Sequence, residues 1–164
     1  MKLVHAFALV PMSLVAVSCD DGGGTEEVSL AADACEHFEG GPGDDATAGA
    51  TAAEAGDVGA EHTAWTITMP TAAAGPRVGF VSLAIDAAGD HTFFFDTDVT
   101  VVMSDAGGAP IAPESSTSVE ADCTLVKRAL TYELGVGTYT LQITTDSGEV
   151  SLVWLGAEHD HEHE

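Results

Sequence analysis

Alternation of apolar and polar residues after residue 63 is the feature that most constrains the fold of this 164-residue chain. Successive side chains of a β-strand point to opposite faces, so a period of two marks a strand with one buried face. Seven segments show this pattern, and turns rich in glycine, aspartate or proline separate them. Their alternating apolar residues lie within 65–69, 81–85, 93–95, 99–103, 130–134, 139–143 and 150–154. The pattern predicts an all-β fold.

About seven to eight short strands, without a helical period among them, predict an antiparallel β-sandwich of jelly-roll or immunoglobulin-like architecture. A closed barrel is the alternative. Val153 and Leu155 face away from the predicted core, so the last strand should be covered on both sides. Turn chemistry predicts a loop over residues 40–45, and residues 46–53 fit either an edge strand or a short helix.

Two stretches of the predicted sandwich resemble the bacterial pre-peptidase C-terminal domain, a small β-sandwich found on secreted proteins. The first is FDTDVTVVMSDAGG at residues 95–108, with an aspartate, an alternating strand and an Asp/Gly turn. The second is YELGVGTYTLQI at residues 132–143, with Gly-Thr-Tyr before an alternating strand. The resemblance covers about residues 61–156. It implies the sandwich fold, and that family has no catalytic residues to carry over.

The N-terminus has the pattern of an export signal. A minimal positive start, MK, precedes an apolar stretch at residues 3–17, which is short for a membrane span. The tetrapeptide AVSC, which ends at Cys19, resembles a bacterial lipobox. The resemblance implies that Cys19 carries diacylglycerol and fatty acyl groups such as palmitate, and anchors the chain to the lipid bilayer. An ordinary secretory peptide that is cut nearby is the alternative.

These features divide the chain into four parts. Residues 1–18 are the predicted lipoprotein signal peptide, and residues 19–32 are a flexible acidic tether rich in Gly, Asp and Glu. Residues 33–157 are the predicted sandwich domain, and residues 158–164 form a tail of histidines and acids. The expected location is the bacterial cell envelope, on the periplasmic face or at the cell surface.

The three cysteines fit an exported protein. With Cys19 assigned to lipid, Cys35 and Cys123 remain as an even pair, which in an oxidising compartment predicts a disulfide. The chain-entropy model attributes roughly 4 kcal/mol to a crosslink that closes so long a loop. Two separate buried thiols are the alternative.

The net charge of −23 restricts the classes of partner. A chain with 27 acidic and 4 basic residues repels phosphate backbones and anionic headgroups, so we expect no nucleic-acid partner. The sequence contains no GxSxG, HExxH, P-loop or GxGxxG motif. We therefore predict a binding protein and not an enzyme.

The tail EHDHEHE carries the strongest binding signal. His159, His161 and His163 alternate with Asp160 and Glu162, and imidazoles with carboxylates are ligands for Zn, Cu or Ni. Members of a His-x-His pair lie about 7 Å apart on an extended strand, which one ion can bridge. The outer two lie roughly 13 Å apart, so the tail predicts an exchangeable site. A solvated acidic tail is the alternative.

Two further histidines repeat the Glu-His pairing of the tail. His37 follows Glu36, and His62 follows Glu61. Both are weaker candidate ligands, either in a composite site with the tail or as coincidences in an acid-rich chain. His91 starts a predicted strand and is expected at the surface or in a turn.

The sequence therefore predicts an exported, membrane-anchored lipoprotein with a non-catalytic binding role. The binding would take a Zn, Cu or Ni ion through the histidine-rich tail. The alternative is a structural or adhesive sandwich that binds a protein or glycan partner, with an unspecific solvated tail.

Overall fold

The computed structural model describes residues 29–118 and 123–156. Within these ranges the chain forms two β-sheets and one α-helix. No helix in this part of the chain is both long enough and apolar enough to span a bilayer. The predictions about Cys19 and about the tail at residues 158–164 lie outside the described residues.

In the described ranges, α1 (Leu30–Gly40) precedes eleven strands. In chain order the strands are β1 (Gly43–Thr47), β2 (Gly56–Asp57), β3 (Ala64–Thr68), β4 (Arg77–Ile85), β5 (Gly89–Phe95), β6 (Thr100–Asp105), β7 (Pro110–Ile111), β8 (Ser115–Thr117), β9 (Arg128–Leu134), β10 (Gly137–Thr145) and β11 (Glu149–Gly156). A 3-10 turn at Ala52–Glu54 separates β1 from β2. The seven segments predicted from alternation correspond to β3–β6 and β9–β11.

The strands form two mixed sheets. Sheet A has the order β1-β3-β11-β5-β9-β8, and sheet B has the order β2-β4-β10-β6-β7. The two sheets confirm the predicted all-β sandwich class. Two pairings depart from the predicted antiparallel pattern, because β1 runs parallel to β3 and β2 runs parallel to β4. From β1 to β4 the chain switches sheets at every strand, and such crossovers allow parallel pairing.

The prediction of a loop over residues 40–45 is wrong for residues 43–45. Residues 43–45 belong to β1, which pairs with β3 from Gly43 opposite Ala64 to Thr47 opposite Thr68. This strand is mostly exposed and shows no apolar alternation. Its backbone hydrogen bonds with β3 define it, and such pairing leaves no mark on a hydrophobic pattern.

The core between the sheets comes from the inward faces of the alternating strands. Its largest buried members are Ile67, Leu83, Ile85, Phe93, Phe95, Met103, Tyr132, Leu141, Ile143, Leu152 and Trp154. Phe93 stacks on Trp154, with ring centroids 6.0 Å apart, and lies edge-on to Tyr132 at 5.8 Å. Full burial of one such side chain contributes about 1.5–3 kcal/mol. This core holds the sandwich together.

A second apolar cluster lies on the outer face of sheet A beneath α1. Val153 and Leu155 of β11 are both buried there, which confirms that this strand is covered on both sides. The buried members of this helix-covered cluster are Ala31, Ala34, Phe94, Cys123, Val126, Ala129, Val153 and Leu155. The helix starts at Ser29, whose Oγ accepts a hydrogen bond from the backbone N–H of Ala32 at 3.2 Å. The boundary expected at residue 33 therefore falls inside α1.

A disulfide between Cys35 and Cys123 fastens α1 to the segment that leads into β9. It confirms the predicted pairing and closes a sequence separation of 88 residues. An isolated helix of eleven residues is marginal in water. The buried residues of α1 are two alanines, Ala31 and Ala34. Cys35 and Phe38 add partly buried contacts to the same cluster, and the disulfide adds a covalent tie to this apolar packing.

Replacement of the disulfide in a Cys35→Ala/Cys123→Ala variant should lower the free energy of unfolding by about 2–5 kcal/mol. The crosslink lowers the conformational entropy of the unfolded chain, so its loss favours unfolding. Its loss also weakens the docking of α1. Urea unfolding followed by tryptophan fluorescence measures the change, with wild-type protein reduced by a phosphine as the control. A loss below about 1 kcal/mol would mean that α1 is held by packing alone.

Candidate metal centre

Three side chains that can ligate a metal ion converge where α1 meets sheet A. Asp33, His37 and His62 each offer one ligand atom, and these atoms lie within 4.8 Å of one another. Between residues 29–118 and 123–156, this is the one group of three or more His, Cys, Asp or Glu side chains that meets in this way. We call these three residues the His–Asp centre.

The helix supplies two of the three ligands. Asp33 and His37 are four residues apart, and this spacing places both side chains on one face of a helix. The Nε2 atom of His37 lies 3.5 Å from Oδ1 of Asp33. The helix ends at Gly41, whose N–H donates to the carbonyls of Glu36 and His37. A Cβ at Gly41 would lie 2.6 Å from Nδ1 of His37, so a glycine is needed beside this ring.

The third ligand comes from the turn before β3. His62 has a φ of 53° and is the single non-glycine residue with positive φ among the described residues. Histidine adopts this conformation more often than most residues, at a cost on the order of 1 kcal/mol. The N–H of His62 donates to the carbonyl of Trp154 at 3.2 Å. This hydrogen bond fixes the turn to β11 and aims the His62 ring at α1.

The separations between the ligand atoms match those around a small divalent ion. Nε2 of His37 lies 3.1 Å from Nδ1 of His62, and this Nδ1 lies 3.7 Å from Oδ2 of Asp33. Metal–ligand bonds of about 2.0–2.1 Å in a tetrahedral site place the ligand atoms about 3.3 Å apart. The His37–His62 separation of 3.1 Å is close to that distance, whereas the separations of 3.5 and 3.7 Å involve different oxygens of Asp33. Because each residue offers one ligand atom, the Asp33 carboxylate must turn to bring a single oxygen near both imidazoles.

The two imidazoles form a hydrogen bond with each other. Their rings meet edge-on, with centroids 5.1 Å apart, and one ring nitrogen donates to the other. A metal ion would replace this shared hydrogen, because both nitrogens must then present lone pairs. Nδ1 of His37 is buried and has no hydrogen-bond partner among the described residues. A metal-bound imidazole usually donates its second ring N–H to an acceptor, and the described residues provide no such acceptor for Nδ1 of His37.

The surroundings of the His–Asp centre favour a cation. The side chains of His37, Asp33 and His62 are 14%, 16% and 27% exposed, so the centre is partly enclosed but open to an ion. The arginines of the sheets are engaged elsewhere, since Arg77 donates to the carbonyl of Pro70 and Arg128 pairs with Asp98. With a net charge of −23, the chain attracts positive ions to such a site.

The structure brings His37 and His62 together, as the hypothesis of ligands from the folded body requires. Asp33 is not among the ligands predicted from sequence, although its spacing of four residues from His37 is a recognisable helical signal. The tail ligands His159, His161 and His163, with Asp160 and Glu162, lie outside the described residues. Their role in metal binding stays a prediction.

His91 does not join the centre, and its predicted surface position is wrong. The side chain is 2% exposed, because it lies on the inward face of β5 in register with Tyr132. Its Nε2 is 3.0 Å from the carbonyl oxygen of Ala87, and its ring lies 5.9 Å from that of Trp154. Nδ1 is 4.0 Å from a carboxylate oxygen of Glu61. His91 is a core residue at one end of the sandwich.

The outer face of sheet B carries a shallow groove of about 400 Å³. Apolar side chains of Phe80 and Val102 lie beside polar ones of Ser104, Thr140 and Gln142. This mixed lining has no metal-ligand cluster, and nothing in it specifies an occupant. The predicted protein or glycan partner therefore stays a prediction.

The positive φ of His62 predicts different stabilities for two variants. His62→Gly and His62→Ala both remove a ligand, but only glycine adopts φ near 53° without strain. We expect the metal-free glycine variant to be more stable than the alanine variant by about 1 kcal/mol. Chemical denaturation of both proteins measures the difference, and equal stabilities would show that the turn relaxes around residue 62.

Comparison with known proteins assigns no family to this chain, because no family model matches it and no curated protein matches it. The likeness to the pre-peptidase C-terminal domain and the likeness of the signal to a lipobox stay predictions. A functional assignment therefore depends on the residues of the His–Asp centre and their geometry.

Proposed function

We propose that this protein is an exported, membrane-anchored lipoprotein of the bacterial envelope that binds a Zn, Cu or Ni ion. The observation that carries the proposal is the convergence of Asp33, His37 and His62 at metal-ligand separations. Two imidazoles and one carboxylate suit ions of intermediate softness, whereas Ca²⁺ and Mg²⁺ prefer sites built from oxygen ligands.

The role is capture of an ion without turnover. Three protein ligands leave at least one position of a tetrahedral shell for water or for an incoming ligand. Such an open shell lets an ion enter and leave. The fold itself has a full core between its sheets and a disulfide beneath α1. The core between the sheets therefore forms without the ion's ligands, and we assign the ion the role of cargo.

The sequence of the tail offers a second source of ligands. Strand β11 ends at Gly156, which pairs with His91 of β5, and two residues earlier the carbonyl of Trp154 accepts from His62. His159 follows Gly156 by three residues, a length that spans at most about 10 Å. We include the imidazoles of the tail in the proposed site as additional ligands.

The export part of the proposal has one structural support. A disulfide persists in oxidising compartments and is rare in the bacterial cytosol. The Cys35–Cys123 bond therefore suits a chain that leaves the cytosol. Cys19 lies ten residues before Ser29, where the described part of the chain begins, so an acyl anchor at Cys19 would leave a short spacer before α1.

Zinc binding tests the function directly. We expect the variant that lacks residues 158–164 to retain a zinc site, and its affinity should fall at least about tenfold when Asp33→Asn removes one ligand. Zinc at 100 times its dissociation constant should also stabilise the folded protein by about 2.7 kcal/mol. Isothermal titration calorimetry and thermal unfolding give the two quantities.

The matched control is Asp146→Asn, which makes the same chemical change at an exposed aspartate in the turn between β10 and β11. This variant should bind zinc within twofold of its parent. If Asp33→Asn and Asp146→Asn have equal affinities, the His–Asp centre is not the metal site. Loss of all binding with the tail would assign the ion to residues 158–164 alone.

The lipid anchor has a separate test. Protein extracted from the membrane of its own cells should begin at Cys19 and carry the mass of a diacylglyceryl group and an amide-linked fatty acid. Intact-mass spectrometry measures this, and a Cys19→Ser variant should keep its leader and lose the acyl mass. A wild-type N-terminus at another residue, without any acyl mass, would contradict the anchor.

A further inference from the structure

We propose that the Cys35–Cys123 disulfide and the metal ion are thermodynamically coupled, so that reduction of the disulfide releases the ion. The inference rests on the proposed metal binding and adds the regulation of that site. The observation behind it is that the disulfide and two of the three ligands share one short helix.

The His–Asp centre crosses the boundary between α1 and sheet A. Asp33 and His37 lie on the helix, whereas His62 is bound to β11 through the carbonyl of Trp154. Cys35 lies between the two helical ligands, and its partner Cys123 lies in the segment before β9. The disulfide therefore spans the same boundary as the metal centre, and both tie the same helix to the same sheet.

The ligand geometry requires an intact and docked helix. Asp33 and His37 face each other only while residues 33–37 keep a helical turn. A helix of eleven residues does not persist in water without tertiary contacts. The two buried residues of α1 are Ala31 and Ala34, whose methyl groups bury little apolar area. Cys35 and Phe38 are only partly buried against the same cluster. Removal of the crosslink therefore takes away the one covalent tie of a weakly packed helix and loosens the ligands that it carries.

The link between α1 and β1 determines which ligands separate when the disulfide is reduced. Residues 41 and 42 are the only link between α1 and β1, so this link is the pivot about which a released helix moves. His37, in the last turn, stays near the pivot, while Asp33 lies one turn farther away. We expect reduction to separate Asp33 and His37 from His62 and to weaken the site, with single imidazoles left as residual ligands.

A dithiol is the class of reductant that the step requires. Cys35 is half-buried and Cys123 is buried, so the first thiolate attacks the Cys35 sulfur and Cys123 leaves as a thiolate. The second thiol then attacks the mixed disulfide. Two electrons pass from the dithiol, which becomes a cyclic disulfide, to the cysteine pair, which becomes two thiols. Because the two equilibria are linked, a bound ion makes the disulfide harder to reduce. The equilibrium constant for reduction falls by the same factor by which reduction lowers the metal affinity.

The test compares zinc affinities in protein that lacks residues 158–164, with a chromophoric chelator as competitor. We expect the Cys35→Ala/Cys123→Ala variant to bind zinc at least about tenfold more weakly than the oxidised parent. The His37→Ala/His62→Ala variant, with the disulfide intact, gives the zinc affinity that remains without the two imidazoles. Removal of the crosslink from that variant should leave this residual affinity unchanged. Far-UV circular dichroism verifies that the sheets remain folded.

If the cysteine variant loses its sheet signal, the same question is answered with the oxidised parent. A water-soluble phosphine reduces its disulfide, with water supplying the oxygen of the phosphine oxide and the two thiol hydrogens. The chelator should then report release of bound zinc at the rate of reduction. Equal affinity in the two redox states, or tighter binding after reduction, overturns the inference and leaves the proposed function intact. Failure of the oxidised parent to bind zinc overturns both.

Discussion

The docking of α1 on the outer face of sheet A is the contact on which the candidate site depends. The sandwich has its own core between the sheets, and no residue of α1 belongs to that core. The centre needs the helix, because two of its three ligands are helical. The helix fully buries only Ala31 and Ala34, with Phe38 partly buried beside them, and the Cys35–Cys123 bond reinforces this limited packing.

This arrangement explains how an acidic chain forms a defined site at the contact between α1 and sheet A. An aspartate and two imidazoles are held between a helix and a turn, and a positive-φ histidine is kept in place by a backbone hydrogen bond to β11. The two imidazoles also hydrogen-bond to each other at 3.1 Å. The helix, the turn and these hydrogen bonds hold the three side chains close together, which lowers the ordering cost of binding an ion.

The sheets could be predicted from the sequence because alternation is a local signal. Segments such as Val81–Ile85 in β4 and Val150–Trp154 in β11 show their buried faces directly. Strand β1 and helix α1 could not be predicted, because β1 is defined by its pairing with β3 and the buried face of α1 consists of alanines. Without an apolar pattern, the composition of such segments indicates a loop.

The candidate site was predicted only in part, since a centre made by distant segments depends on tertiary structure. The Glu-His pairs pointed to His37 and His62, which lie 25 residues apart in sequence, but their meeting requires α1 to be docked. Asp33 escaped notice because no helix was expected there. His91 was misplaced because a histidine at the start of a strand looks exposed until its inward register is known.

The most direct test of the account is a long-range proton–nitrogen NMR spectrum of the histidine rings in protein without residues 158–164, recorded before and after one equivalent of zinc. Zinc should shift Nε2 of His37 and Nδ1 of His62 to the values of metal-bound nitrogens and leave the ring of His91 unchanged. Spectra in which neither ring responds would contradict the metal centre.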